Sequence, residues 1–438
     1  MERRMRLLID SGWRFATLPS VCALLCLLAA CGGSGSKPNV VFILIDTLRK
    51  DHLSVYGYER ETSPKIDAIA RGGWVFENHV SHASQTVPST LSIMLSQLPA
   101  EHGFVHRRNR QFVENPPLYP DELLFLPEVL QQAGYRTAGF VANPFLKAKN
   151  GFDQGFDHFV HSRHGRDLSL RARQWIDQVA ADDAPFFVYL HYMEVHAPYD
   201  PPLRYVRDLL PAEGRLLRIK NGPTPNVSPE DLEFTKAHYD GGIRYVDALI
   251  GYVLQHLEAL EIDDDTLVLI TADHGDEFVE HGGMGHGTTV YGELIRAPLI
   301  LSYAPRFPPG RRLTHLSRHL DVAPTLLELL DVDIPTSFRG GSLFEPAPQV
   351  FAEESAWRAV HTADLKLIVD LNDDEMQLFS LDDQLDRNVL NQPESARRLY
   401  ERIDDYRQLE AMALKRRQSG AEWTPEELED LRSLGYLQ

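Results

Sequence analysis

The chain has 438 residues, 43% hydrophobic and 24% charged, a balance that excludes disorder of the whole polypeptide and allows one large core with a smaller appendage. Its formal net charge of −19, from 63 acidic against 44 basic residues, excludes a broad basic face for nucleic acid or anionic lipid, so an anionic substrate needs a local positive site such as a metal ion. All three cysteines, Cys22, Cys26 and Cys31, lie near the N-terminus, which excludes disulfides from the rest of the chain.

In chain order, Arg3, Arg4, Arg6 and Arg14 precede an apolar run, Val21 to Ala30, that is too short to span a bilayer. Residues 1–31 thus have the pattern of a signal peptide. The run ends Leu28-Ala29-Ala30-Cys31-Gly32, which resembles the bacterial lipobox, where cleavage leaves the cysteine as an acylated N-terminal residue. The alternative is an ordinary signal peptide cut at a small residue, with Cys31 incidental. Residues 32–37, opening Gly32-Gly33-Ser34-Gly35-Ser36, read as a flexible tether. The lipobox reading implies a bacterial cell-envelope protein held to the membrane by lipid on Cys31. Gly32 after the cysteine favours the periplasmic side of an outer membrane if the source is diderm.

Asn39 to Ile45 is a continuous β-branched and apolar run between Pro38 and Asp46, as expected of a strand buried on both faces of a parallel sheet. Similar runs follow at Arg136–Ala142, Phe186–His191, Thr266–Thr271 and Leu299–Ser302. Helical spacing of apolar residues marks Leu123–Ala133, Leu168–Val179, Thr235–Leu260 and Val322–Leu330. Alternating strands and helices predict an α/β sandwich around a mostly parallel sheet over residues 38–340, with sites at the carboxyl ends of strands. Short strand-like pieces at Gln349–Ala352, Ala359–His361, Leu365–Asp370 and Met376–Ser380 predict a small antiparallel subdomain over residues 341–392. Residues 393–438 read as a helical tail packed on the main domain, with Thr424-Pro425-Glu426-Glu427 a helix start.

Two of the buried strands end in potential ligands. Asp46 follows the first, and Asp273-His274-Gly275-Asp276 follows the strand Thr266–Thr271. Carboxylates beside an imidazole suit a divalent metal, and the glycine permits a sharp backbone turn. A third element, Thr86-Val87-Pro88-Ser89-Thr90, opens a helix-like segment. A hydroxyl there lies near the positive end of the helix dipole, where a metal could activate it as a nucleophile. Judged locally, capping of the helix by Thr86 or Ser84 is the simpler reading.

The ordered series of motifs resembles the sulfatase family of the alkaline phosphatase superfamily. Pro38 to Leu53 resembles its opening strand, Ala272 to Phe278 with Glu280-His281-Gly282 its second metal-binding segment, and Gly285-His286-Gly287 the histidine that follows. Glu293 to Ile300, Asp321 to Thr325, and Trp357 to Val360 with Leu365 to Ile368 resemble later blocks, so the likeness covers about Lys37 to Asn391. It implies an alkaline phosphatase-like sandwich with one divalent metal on Asp46, Asp273 and His274, and Thr86 in the nucleophile position. His196, in Glu194-Val195-His196-Ala197-Pro198-Tyr199, and His286 would contact the substrate's oxyanion or protonate the leaving group.

Three departures qualify the resemblance. Sulfatases proper oxidise Cys or Ser in Cys/Ser-X-Pro-X-Arg to formylglycine, whereas Thr86 and Thr90 stand at those ends here, so no formylglycine is expected. The family's lysine after the next strand is missing from Gly139-Phe140-Val141-Ala142-Asn143-Pro144. Finally, Thr47 replaces a second aspartate and His274 a frequent asparagine, which favours Mn²⁺ or Zn²⁺ over Ca²⁺ or Mg²⁺. Related phosphodiesterases and phosphotransferases use an unmodified threonine beside an Asp-His pair. The resemblance therefore implies hydrolysis or transfer of sulfuric or phosphoric esters, with phosphoryl chemistry favoured. A second metal has no clear ligand set, although Glu194, His196 and His286 could contribute. The rival reading is an inert relative that binds an anionic envelope glycan or lipid.

Overall fold

A computed structural model describes residues 37–104, 118–182, 184–224 and 226–419. The signal peptide, the Cys31 lipobox and the Thr424 helix start lie outside the described residues. Among the described residues no helix is long and apolar enough to cross a membrane.

The main sheet has eight strands: β1 (Asn39–Ile45), β2 (Trp74–Val80), β3 (Arg136–Val141), β4 (His158–His161), β5 (Phe186–Tyr192), β7 (Thr266–Thr271), β10 (Leu299–Ser302) and β11 (Arg311–Arg318). Their order is β11-β2-β10-β7-β1-β5-β3-β4, and only β10 runs antiparallel to its neighbours. β1 lies centrally, with Ile43 opposite Leu190 of β5 and Ile270 of β7. A strand flanked on both sides and covered on both faces must be apolar throughout, which is why the sequence of β1 does not alternate.

Successive residues of β1 supply two separate cores. Val41, Ile43 and Ile45 pack beneath helices α1 (Pro64–Gly72), α4 (Gly165–Val179) and α5 (Pro229–Ala259). Val40, Phe42 and Leu44 pack on the opposite face with α2 (Thr86–Leu95), α3 (Leu126–Gln132) and α6 (Val322–Leu329). Helix α5 begins six residues before the expected Thr235, because Ser228 accepts a hydrogen bond from the amide of Asp231 and Pro229 fits the first turn.

A separate three-stranded sheet joins β6 (Gly222–Pro223), which precedes α5, to β8 (Glu277–Phe278) and β9 (Gly283–Gly285), which follow β7. The antiparallel sheet expected after residue 340 consists of β12 (Val350–Glu354), β13 (Trp357–His361), β14 (Leu365–Asp370) and β15 (Glu375–Ser380). Helix α7 (Pro393–Ser419) packs chiefly on this sheet rather than on the main domain alone. Leu399, Ile403, Tyr406 and Leu409 bury against Phe351, Val360, Leu367 and Leu378, with Leu98 and Ala100 completing the cluster.

Among the buried histidines of this framework are His79 in β2, His82 just after it, His319 after β11 and His361 in β13. Burial pushes His79 and His82 down to about 3, and His319 and His361 well below the usual imidazole value. The unfolded chain, titrating near ~6.5, takes up protons first as the pH falls. Stability is therefore complete above that value and declines toward pH ~3, by about 1.4 kcal/mol per pH unit for each histidine charged only when unfolded. Urea midpoints measured between about pH 8 and about pH 5 should fall steadily below pH ~6.5, and a flat profile would contradict the neutral burial of these rings.

Candidate active site

The carboxyl ends of β1, β3, β5 and β7 converge on one buried cluster. Asp46 leaves β1, Asn143 follows β3, His191 lies within β5, and Asp273 and His274 follow β7; all five are at most 2% exposed. Ligand atoms of Asp46, His191 and Asp273 lie within 4.8 Å of one another. Asp46 Oδ2 is 3.2 Å from His191 Nε2 and accepts from Asn143 Nδ2 at 2.9 Å. Asp273 Oδ1 accepts from the amides of Thr47 and His274 at 3.1 and 2.8 Å, which fixes its orientation. The connection bends sharply at Thr47, whose φ of 58° is left-handed. Hydrogen bonds through its side chain to Asp46 O and from Tyr239 to its carbonyl hold it there.

Within this cluster Asp46 Oδ1 and Asp273 Oδ2 are buried with no hydrogen-bond partner. Burial works against the charge on Asp46, but the hydrogen bond from His191 and the nearby His196 and His274 outweigh it and hold its carboxyl far below the usual range. Asp273 moves the opposite way, pushed up by burial and by the charge on Asp46. Burial and the neighbouring His286 lower His274 to about 4. His274 Nδ1 donates to Gly275 O at 3.0 Å, leaving Nε2 as a lone-pair donor. Two orphaned carboxylate oxygens beside imidazole nitrogens form a donor set that fits a divalent metal, and the oxygen-nitrogen mixture suits Mn²⁺ or Zn²⁺.

Thr86 is the first residue of α2. Its Oγ1 lies 3.3 Å from Asp46 Oδ2 and 3.5 Å from His274 Nε2, so it faces the ligand cluster. Gln85 occupies the N-cap position without a side-chain cap bond, and Ser84 Oγ donates to Thr289 O and Glu354 Oε2. Neither Thr86 nor Ser84 therefore caps the helix. The approach to Thr86 is clamped from the C-terminal sheet: His82 Nδ1 donates to Phe351 O at 2.6 Å, Glu353 N donates to His82 O at 3.0 Å, and Ala83 forms a bridge with Glu353.

His286 and His196 complete the lining. The His286 ring lies 4.6 Å from that of His274 and 5.0 Å from that of His196. His286 Nδ1 is 2.7 Å from Asp276 Oδ1. Burial opposes protonation of His286, but the Asp276 carboxylate outweighs it and raises the imidazole above its ordinary value. His196 Nδ1 donates to Ala197 O at 2.7 Å.

Thus the structure brings Asp46, Thr86, Asp273, His274, His196 and His286 together. His191 and Asn143 are additions. The only sequence signal for His191 was a histidine at the carboxyl end of an otherwise apolar buried strand. Glu194 lies elsewhere: its carboxylate accepts from the amides of Gly165 and Met193, at the start of α4. Gly275 also has a different reason from the turn expected of it, since a Cβ there would lie 2.0 Å from Glu293 O. Glu277, His281 and Glu293 form a second acid-imidazole group, but His281 is already engaged through both nitrogens, with Glu293 Oε1 at 2.8 Å and Asp386 O at 3.1 Å.

The sequence profile of the sulfatase family matches residues 38–332, a stretch that includes every residue of this cluster. The chain belongs to the sulfatase family. Among relatives, the Ulvan-active sulfatase of Formosa agariphila is 25% identical over 71% of this chain and 65% of its own length. The arylsulfatase of Clostridium perfringens is 25% identical over 74% of this chain and 80% of its own length. The chain thus spans slightly less than two thirds of the first of these sulfatases. The phosphonate monoester hydrolase of Agrobacterium radiobacter superimposes with a TM-score of 0.69 at 18% identity, over 86% of this chain and 96% of its own, which establishes a common fold.

Proposed function

We propose that this sulfatase-family protein is a metal-dependent ester hydrolase or transferase that uses Thr86 as its nucleophile and favours phosphorus over sulfur esters. The supporting observation is the position of Thr86 Oγ1, 3.3 Å from Asp46 Oδ2 and 3.5 Å from His274 Nε2. One divalent ion held by Asp46, His191, Asp273 and His274 would act there as a Lewis acid toward an ester oxygen and the threonine hydroxyl. The protein's own groups do the rest. Thr86 Oγ1 loses its proton to solvent and attacks the phosphorus, the departing alcohol takes a proton from His286 or His196, and water then cleaves the threonine ester, giving one proton back to that histidine as Thr86 regains its own. The methyl on its Cβ prevents oxidation to formylglycine, whose diol gives sulfatases proper a ready route of breakdown. The Agrobacterium protein, by its name a phosphonate monoester hydrolase, is an instance of phosphorus chemistry on this fold.

The likeness of Leu28 to Gly32 to a lipobox supports placing the enzyme on a bacterial cell-envelope membrane through lipid on Cys31. The test is turnover by metal-stripped and reloaded enzyme on an aryl sulfate, an aryl phosphodiester and an aryl phosphonate monoester. Fastest turnover is expected on a phosphorus ester with Mn²⁺ or Zn²⁺. Faster multiple turnover on the aryl sulfate would overturn the phosphorus preference. Tight binding of anionic ligands without turnover under any metal would favour the inert binding protein.

A further inference from the structure

We propose that Asp276 is a positioning residue that grips His286 at Nδ1 and thereby presents Nε2 to the ester beside Thr86. This rests on the functional reading above. Asp276 stands three residues beyond Asp273 and is fully buried. Both carboxylate oxygens are engaged: Oδ1 lies 2.7 Å from His286 Nδ1, and Oδ2 accepts the Tyr199 hydroxyl at 2.6 Å. A carboxylate only accepts, so the imidazole donates from Nδ1. His286 Nε2 makes no hydrogen bond within the described protein, and the ring faces those of His274 and His196.

His286 follows Gly285, the last residue of β9, and precedes Gly287; both glycines have left-handed φ, 83° and 70°, so the chain turns sharply at the histidine. Asp276 is itself anchored from two other directions. Tyr199 comes from the loop after β5, and Arg49 Nη1, from the loop after β1, donates to Asp276 O at 3.0 Å. One loop thus holds the Asp276 carboxylate and another its main-chain oxygen, and the second carboxylate oxygen meets a histidine of the candidate site. A group held by such supporting contacts places its reactive nitrogen with the accuracy that group transfer requires.

The experiment combines a double-mutant cycle with nitrogen NMR on histidine-labelled protein. Asp276→Ala should lower kcat by about 10²-fold with little change in KM, while Asp276→Ala/His286→Ala should be no slower than His286→Ala. Losses that multiply across the cycle would overturn the proposal. At a pH where the ring is neutral, the resonance missing from His286→Ala should report the Nδ1–H tautomer in the otherwise unaltered protein. It should change in Asp276→Ala. An unprotonated Nδ1 in the unaltered protein overturns the proposal even if the variant fails to fold. Absence of turnover on every ester would defeat the enzymatic reading instead, with the tautomer still deciding the Asp276–His286 link.

Discussion

Replacing Thr86 by alanine should reduce turnover by about 10³-fold or more while leaving metal content unchanged, because the variant loses the proposed attacking oxygen and none of the four proposed ion ligands. The Thr86 hydroxyl makes only long contacts, at 3.3 and 3.5 Å, so its loss should shift stability by no more than about 1 kcal/mol. Thr86→Ser, which keeps the oxygen, should retain most of the rate. Steady-state kinetics, metal analysis and thermal melting on the same preparations check all three expectations. Equal activity in Thr86→Ala would remove the threonine from the chemistry, and loss of metal would recast it as a ligand.

His191→Ala should weaken metal binding by at least about 10²-fold, since even partners one bond removed from an ion typically change affinity by about 10- to 100-fold. The imidazole is fully buried, held at Nδ1 by the Tyr189 hydroxyl and directed by Nε2 at Asp46. Its removal also leaves a cavity and takes away the hydrogen bond that favours ionised Asp46, so a stability loss of about 2–4 kcal/mol should accompany the metal loss. Activity should recover at raised Mn²⁺ or Zn²⁺ concentration if geometry survives. Undiminished metal content after dialysis would mean that His191 supports Asp46 without touching the ion.

The sequence made some of this visible and hid other parts for physical reasons. Strands β1, β7 and β10 have the expected limits because an unbroken apolar run can be satisfied only inside a sheet. β2 and β11 escaped notice because they carry Glu77, Asn78, His79 and Arg311, Arg312, His315 among their apolar residues. Partners from β11 and its bend take up two of them: Asn78 donates to Thr314 O and His79 Nδ1 pairs with Ser317 Oγ. In the site, Asp46, Asp273 and His274 were legible because each stands just past a strand, where polarity changes abruptly. His191 stands one residue before the end of β5 and looked like part of the core. Asn143 was noticed only as a missing lysine. Its contact with Asp46 depends on β3 lying two strands from β1, a relation that linear order does not reveal.

The clamp on His82 and Ala83 has a consequence for how the molecule comes into being. The segment leading into Thr86 is held by residues about 270 positions later in the chain. A ribosome must therefore complete most of the polypeptide before that segment acquires its final support, and a nascent or truncated product ending before β12 should lack a settled Thr86.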